Sequence, residues 1–276
     1  MFKNIIFIIL FSFSLTSLSQ VKQTYDLEYK ATYLMTFRPD SLDTVKEKDK
    51  TYLSFNDSLS VFRSDTKHRK DSTRYQYLFG KTKPTGGKIW VLGKSREDNL
   101  IIKEGDEITT FENLSIVDRN DVNYFFEESK NDQQWEIKED TATIKGYLCQ
   151  NAVLEYGNRI WSAWFTEEIP VSDGPYRFSG LPGLNIQIED QTGSWSFELL
   201  DIVKTPQTIT VNFDEAITYQ KTEKPDFYKK KKYLLDNNAH LKTGSSGGEG
   251  GERIENLAKR VEEVRKKDNN WIELYP

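Results

Sequence analysis

From Tyr25 to Phe37 every odd position is apolar or aromatic, and every even position except Leu34 is polar. A period of two is the mark of a strand with one buried face. Shorter alternating runs predict strands at Thr51–Phe55, Ser58–Arg63, Arg74–Phe79, Lys88–Leu92, Asn99–Lys103 and Asp106–Glu112. Others fall at Gln134–Lys138, Thr141–Tyr156, Arg159–Thr166, Leu184–Glu189, Ser194–Val203 and Gln207–Phe213. Gly, Asn, Asp, Ser and Pro separate them, as in an all-β domain. Aromatic residues make up 13% of the chain, which suits half-buried pleated surfaces.

One hairpin can be registered from the pattern alone. Gly157-Asn158 lies between two alternating runs, and both residue types tolerate the positive φ of a two-residue turn. Pairing Tyr156 with Arg159 sets Leu154 against Trp161, Ala152 against Ala163 and Gln150 against Phe165. The other face pairs Val153 with Ser162, Asn151 with Trp164 and Cys149 with Thr166. The first face is mostly apolar. The second is mixed and suits either a groove or contact with a second layer.

The two ends read differently. One charge, Lys3, precedes an apolar run from Ile5 to Leu18, and Ser17 and Ser19 stand at a signal-peptidase spacing. The expectation is a signal peptide over 1–19, a mature N-terminus at Gln20, and no lipid anchor because no cysteine is near. An antiparallel β domain is expected over 20–220 and a helical, Gly-rich tail over 221–276. In that tail Asp226–Asn237 predicts a short helix, Thr243–Gly251 a flexible linker, and Arg253–Lys267 an amphipathic helix. Lys229–Lys232 is read as a solvated helix face.

Charge and motifs narrow the function classes. A net charge of −5 argues against nucleic acid, whose binding needs a basic face. The single cysteine, Cys149, has no partner for an internal disulfide and is read as a small buried residue of a strand. The two histidines, His68 and His240, form no metal-binding pair, and no serine-hydrolase elbow, P-loop or dinucleotide fingerprint is present. This weighs against an enzyme and calls for no cofactor. The remaining chemistry is carboxylate: Glu167, Glu168, Asp173, Glu189 and Asp190 flank one loop. Solvated turn residues are the plain reading; a metal site or acid–base pair is the alternative.

That loop, Gly174 to Leu184, is the most distinctive segment. Gly174, Pro175, Gly180, Pro182 and Gly183 fall within ten residues, so it cannot be helical. Two compatible roles follow. Pro170, Val171, Tyr176, Phe178, Leu181 and Leu184 would plug one end of the sheet. A rigid aromatic loop carrying Asp173 and Arg177 would also suit recognition, because preorganisation lowers the ordering cost of binding. The candidate binding residues are Arg159, Trp161, Trp164, Asp173, Gly174, Pro175, Tyr176, Arg177, Phe178, Gly180, Leu181, Pro182, Gly183 and Leu184.

The tetrad Gly180-Leu181-Pro182-Gly183 with Leu184 resembles the signature of the GLPGLI family, secreted envelope proteins of Bacteroidota with no assigned activity. Gln134–Ile137, Ile144–Ala152, Asn158–Pro170 and the ending Trp271-Ile272-Glu273-Leu274 are similar to further blocks of that family. The close match covers Gln134–Ile202. Asn185 stands where the motif usually has an apolar residue, and the alternation places it on a solvent-facing side with Gln187 and Glu189. The resemblance implies a protein exported to a Gram-negative envelope, and it supplies no catalytic residues.

The fold expected is therefore all-β: a large curved antiparallel sheet, half-open barrel or sandwich, with one or two C-terminal helices. The function expected is a non-enzymatic periplasmic binding or accessory protein, with secretion the alternative location. Its groove would be lined by Trp164 and Asn151 and rimmed by Tyr176–Gly183. The expected partners are a lipid, a peptide or an outer-membrane protein. The competing classes are a carboxylate-based metal protein or hydrolase, and an interaction subunit of an outer-membrane assembly.

Overall fold

A computed structural model describes residues 23–80, 97–114, 122–212, 214, 217–243, 267 and 269–275. The expected leader, the strand at Lys88–Leu92, most of the linker and nearly all of the Arg253–Lys267 helix lie outside them. Along the chain come β1 (Gln23–Phe37), β2 (Glu47–Phe55), β3 (Leu59–Ser64), α1 (Asp65–Phe79), β4 (Leu100–Glu104), β5 (Glu107–Leu114) and β6 (Val122–Ser129). After them come β7 (Glu136–Ile144), β8 (Tyr147–Tyr156), β9 (Arg159–Thr166), β10 (Leu184–Asp190), β11 (Trp195–Val211), β12 (Tyr219–Lys221) and α2 (Lys224–Thr243). All twelve strands form one sheet, ordered β12-β6-β5-β4-β3-β2-β1-β11-β10-β9-β8-β7. Among the described residues it is not closed into a barrel, and only β12 pairs in parallel, with β6.

The expected register of the β8–β9 hairpin holds from Tyr156↔Arg159 to Gln150↔Phe165. Gly157 and Asn158 both take positive φ, 60° and 57°, as a two-residue turn matching strand twist requires. The long β1–β11 ribbon absorbs two irregularities, one between Leu27 and Tyr29. Pro206 falls in that irregularity, where its missing donor costs no ladder bond. The expected strands at 194–203 and 207–213 are thus largely one strand. Conversely, Thr141–Tyr156 splits at Lys145-Gly146, whose positive φ values reverse the chain between β7 and β8.

Arg74–Phe79, read as a strand, belongs to α1. Local electrostatics decide this against the alternation. The Ser64 hydroxyl caps the helix by accepting from the Lys67 amide at 3.1 Å, and Asp65–Arg69 and Lys67–Asp71 pair one turn apart. No alternating run predicts β6 or the short β12.

Side chains from strands far apart in the sheet meet on one face. Phe62 of β3 packs edge-on against Phe197 of β11, and the Tyr156 hydroxyl of β8 donates to Glu128 of β6 at 2.9 Å. The sheet therefore curls until its two ends approach. The main core lies inside the curl, with Tyr33, Phe62, Ile101, Trp161, Phe165 and Phe197 fully or almost fully buried. A second core lies on the opposite face of β3–β5. There Val61, Leu100, Ile102 and Phe111 are covered by Leu27, Ile209 and Val211 at the far end of the β1–β11 ribbon.

Asn185 is the clear departure from expectation. It is fully buried, and neither carboxamide atom has a hydrogen-bond partner among the described residues. Its main chain is well used: its carbonyl accepts from the Tyr33 hydroxyl at 2.7 Å, and its amide donates to the Asp173 carbonyl at 3.0 Å. The β9–β10 pairing shifts register between Asn185 and Gln187, which breaks the simple alternation and turns Asn185 inward. An unpaired buried amide costs about 1–3 kcal/mol. Asn185→Leu should therefore raise the unfolding free energy by roughly 1 kcal/mol or more, read from the urea midpoint. A lower midpoint would show that the carboxamide is paired in solution.

Candidate functional site

The loop between β9 and β10 enters the curl of the sheet. Gly183 makes this crossing feasible: a Cβ there would lie 2.0 Å from the Thr166 carbonyl oxygen. Gly174 does the same against the Asn185 side chain, at 2.3 Å. Asp173 and Ser179 bridge across the loop, and Tyr176 at its tip takes a φ of 56°, uncommon for a bulky residue. Tyr176, Phe178, Leu181 and Leu184 are all buried in the main core, and Gly174, Pro175 and Gly183 are buried as well; Gly180 and Pro182 are exposed. Phe178 packs edge-on against Trp161 with ring centroids 4.8 Å apart, and Tyr176 against Phe62 at 6.5 Å.

Polar groups from the opposite limb of the sheet fasten the loop. The Lys103 ammonium of β4, fully buried, pairs with Asp173 and donates to the Gly174 carbonyl at 2.7 Å and the Phe178 carbonyl at 3.0 Å. Burial pushes the Lys103 pKa down, opposed by Asp173. Gln133 donates to the Arg177 carbonyl and accepts from the Ser179 amide, and the Trp135 indole donates to the Ser179 carbonyl.

Arg177 stands at the centre of a buried ionic cluster. Its guanidinium pairs with Glu273, donates to the Thr110 hydroxyl at 2.9 Å and the Tyr228 hydroxyl at 3.1 Å, and lies over the rings of Tyr176 and Phe126. Lys224, at the start of α2, binds Glu273 at 2.7 Å, Glu128 at 2.5 Å and the Tyr156 hydroxyl at 2.9 Å. The Tyr176 hydroxyl also donates to Glu273, at 2.7 Å. Burial would raise the Glu273 carboxyl, but Arg177 and Lys224 outweigh it and hold it down at about 2. Burial drives the Tyr156, Tyr176 and Tyr228 hydroxyls well above their ordinary range, so they remain protonated donors.

Two of the other expected residues are buried. Trp161 is in the main core, and Arg159 pairs with Asp190 at 2.8 Å and reaches residues 270–272. Trp164 is on the outer face, where Ser162, Gln187, Glu189 and the turn Asp190–Gly193 complete a shallow depression of about 440 Å³. Asn151 does not line it, and bonds to Ser162 and the Ala163 carbonyl instead. Residues Tyr176–Gly183 do not rim it either, because the loop folds to the inner face. The expected groove is thus divided between two sides of one sheet.

Of the five carboxylates three take separate partners, a fourth lines the depression, and Glu167 is exposed. Asp173 binds Lys103, Asp190 binds Arg159 and the Trp195 amide, Glu168 accepts from the Leu148 amide, and Glu189 lines the depression. Among the described residues no three metal-ligating side chains converge. Cys149 is buried and its thiol is pushed up by burial, away from the reactive thiolate form. Lys103, Glu128, Lys224, Tyr228 and Glu273 escaped the sequence reading: they are spread over 170 residues of chain and share no spacing motif.

A family model described as a protein of unknown function (Porph_ging) matches residues 156–187, the end of β8 through most of β10. No curated protein matches the chain. Among solved structures, PNGF-II is similar at 13% identity with a TM-score of 0.49, over 76% of this chain and 33% of that one, so this chain spans about a third of its length. A LolA superfamily protein, NE2245 from Nitrosomonas europaea, is similar over 64% of this chain and 86% of that one, with 8% identity and a TM-score of 0.25. A DUF1329 family protein from Desulfovibrio piger is similar over 72% and 90%, with 8% identity and a TM-score of 0.21. Scores this low carry no argument about fold or function.

The two buried ion pairs make separate predictions. Lys103→Met leaves Asp173 charged and buried, and should cost about 3–5 kcal/mol of stability. Adding Asp173→Asn should restore more than half of that loss in the denaturation midpoint; no recovery would mean the pair is not the cause. Glu273, lowered to about 2 from 4.5, contributes stability that is present above pH 4.5 and lost as pH falls towards 2. The part of acid unfolding due to Glu273 should be on the order of 3 kcal/mol, and Glu273→Gln should flatten the stability profile across that window. An unchanged profile would count against the buried pair.

Proposed function

We propose that this chain is an exported, non-enzymatic accessory protein of the bacterial envelope that works through its outer surface on a protein partner. It does not carry a lipid inside its sheet. The observation that carries this reading is the occupancy of the curl: Tyr176, Phe178 and Leu181, each at most 1% exposed, sit where a hydrophobic cargo would lie. Withdrawing them would break the Lys103 and Arg177 networks at once, leaving buried charges unpaired at a cost of about 3–5 kcal/mol each.

Export rests on the charged start, apolar run and small residues at 17 and 19, and on the resemblance of Gly180–Leu184 to the GLPGLI signature. That Asp173, Asp190 and Glu168 each hold a different structural partner supports a non-enzymatic role. For a partner, the outer face offers the Trp164 depression, an aromatic floor with a polar margin.

Two measurements on protein purified from native membranes check the proposal. Solvent extraction and mass spectrometry should recover no stoichiometric lipid, and a photo-crosslinker in place of Trp164 should capture a defined envelope protein. One bound lipid per chain, displaced by a hydrophobic probe, would overturn it and return the interior to the role of a carrier.

A further inference from the structure

Residues 269–275 form no part of the sheet, yet the body of the protein reads them almost atom by atom. The Asn270 amide donates to the Pro39 carbonyl at 3.0 Å, and the Leu274 amide to the Gly157 carbonyl at 2.8 Å. Four carbonyls are taken as well: Asn270 by the Trp195 indole at 3.2 Å, Trp271 and Ile272 by Arg159, and Leu274 by the Asn158 carboxamide. Side chains are read as well. The Asn270 carboxamide donates to the Arg38 carbonyl at 2.8 Å and accepts from Arg159, Ile272 enters the main core, and Glu273 meets Arg177 and Lys224.

Main-chain hydrogen bonds with pockets for chosen side chains are how receptors bind extended peptides. The receptor parts are moreover held by residues outside the segment. Asp190 fixes Arg159 and is itself fixed by the Trp195 amide; Thr110 and Tyr228 hold Arg177, and Glu128 holds Lys224. These supports do not involve the segment itself, which lowers the ordering cost of binding.

We propose that this groove is a peptide-recognition site for an extended segment carrying Asn and, three residues later, a carboxylate after an apolar residue. The chain's own Asn270-Trp271-Ile272-Glu273 occupies it in cis, and a partner segment of the same pattern replaces it in trans. Arg159 reads the main chain and Asn270. Arg177 and Lys224 select the carboxylate: two cations shared with Glu128 leave a net positive pocket when Glu273 departs. Gly157 is required beneath the segment, since a Cβ there would lie 2.5 Å from the Glu273 side chain. The site is on the inner side; of the supports named, Asp190 alone also borders the Trp164 depression, and the test leaves it unaltered, so either reading can fail alone.

The test uses the full chain with a protease site placed within Gly247–Gly251 and Glu273→Gln to loosen the tail. After cleavage, a fluorescent synthetic peptide spanning Asn269–Pro276 with its natural glutamate should replace the tail, one per body, by polarisation and native mass spectrometry. The same peptide carrying Glu273→Gln should bind at least tenfold more weakly, as should the natural peptide to an Arg177→Lys body. Three results would overturn the proposal: no entry of the natural peptide, equal binding of both peptides, or loss of the body's circular dichroism once the tail leaves. The last would make residues 269–275 a core element and not a ligand.

Discussion

The pairing of Arg177 with Glu273 stands at the point where distant parts of the chain meet in the dry interior. Arg177 comes from the loop after β9, Glu273 from the last residues of the chain, and Lys224 from the start of α2, with Glu128 of β6 completing the charge balance. Taking such groups from water costs several kcal/mol per ion, and attraction repays this only where geometry is good and the remaining polar atoms are bonded. Here tyrosine hydroxyls and two aromatic faces supply most of that environment, while Nη2 of Arg177 makes no hydrogen bond among the described residues. Apolar residues of equal volume could match the stability. What they could not do is demand one register of loop, helix and tail, because any slip would strand a charge in the core.

This explains why the loop is built from glycine and proline. An arginine must be delivered to the middle of a protein on a chain that also passes within van der Waals distance of Thr166 and Asn185. Gly174 and Gly183 permit the two close approaches, and Tyr176 accepts left-handed backbone at the tip because its ring and hydroxyl are both spoken for. Local strain of this kind persists where the surroundings over-determine it. Asn185 fits the same account: the register shift that turns it inward also seats the loop, and the cost of its bare carboxamide falls on a site with many compensating contacts.

Much of the sheet could be read from the chain because period-two alternation survives wherever one face of a strand is buried, as in β1, β8 and β9. The two-residue turn at Gly157-Asn158 even set the register. Alternation misled at Arg74–Phe79, where a serine cap and ion pairs one turn apart outweigh a pattern of only six residues. It also misled at Asn185, since a bulge reverses inside and outside beyond it. The loop's residues could be singled out, and their role as a plug anticipated, from glycine and proline alone. Their partners could not. Lys103, Glu128 and Glu273 look like ordinary surface charges, and only the curl of the sheet reveals that they share a dry interior.

An open sheet of twelve strands must also answer for its edges, since unpaired strand edges invite other chains. At one end β7 carries Glu136, Lys138, Glu139 and Asp140 in close succession, a charged edge that discourages pairing. At the other, β6 is capped by the three-residue β12 and flanked by α2, whose Phe227 and Tyr228 pack on Phe126. The gap between the limbs is spanned by the Tyr156–Glu128–Lys224 contacts and not by a ladder of backbone bonds. Side chains can release a gap that backbone hydrogen bonds would seal. A fold that closes with ions and tyrosines around its own tail places the charges that meet Glu273 at the seam.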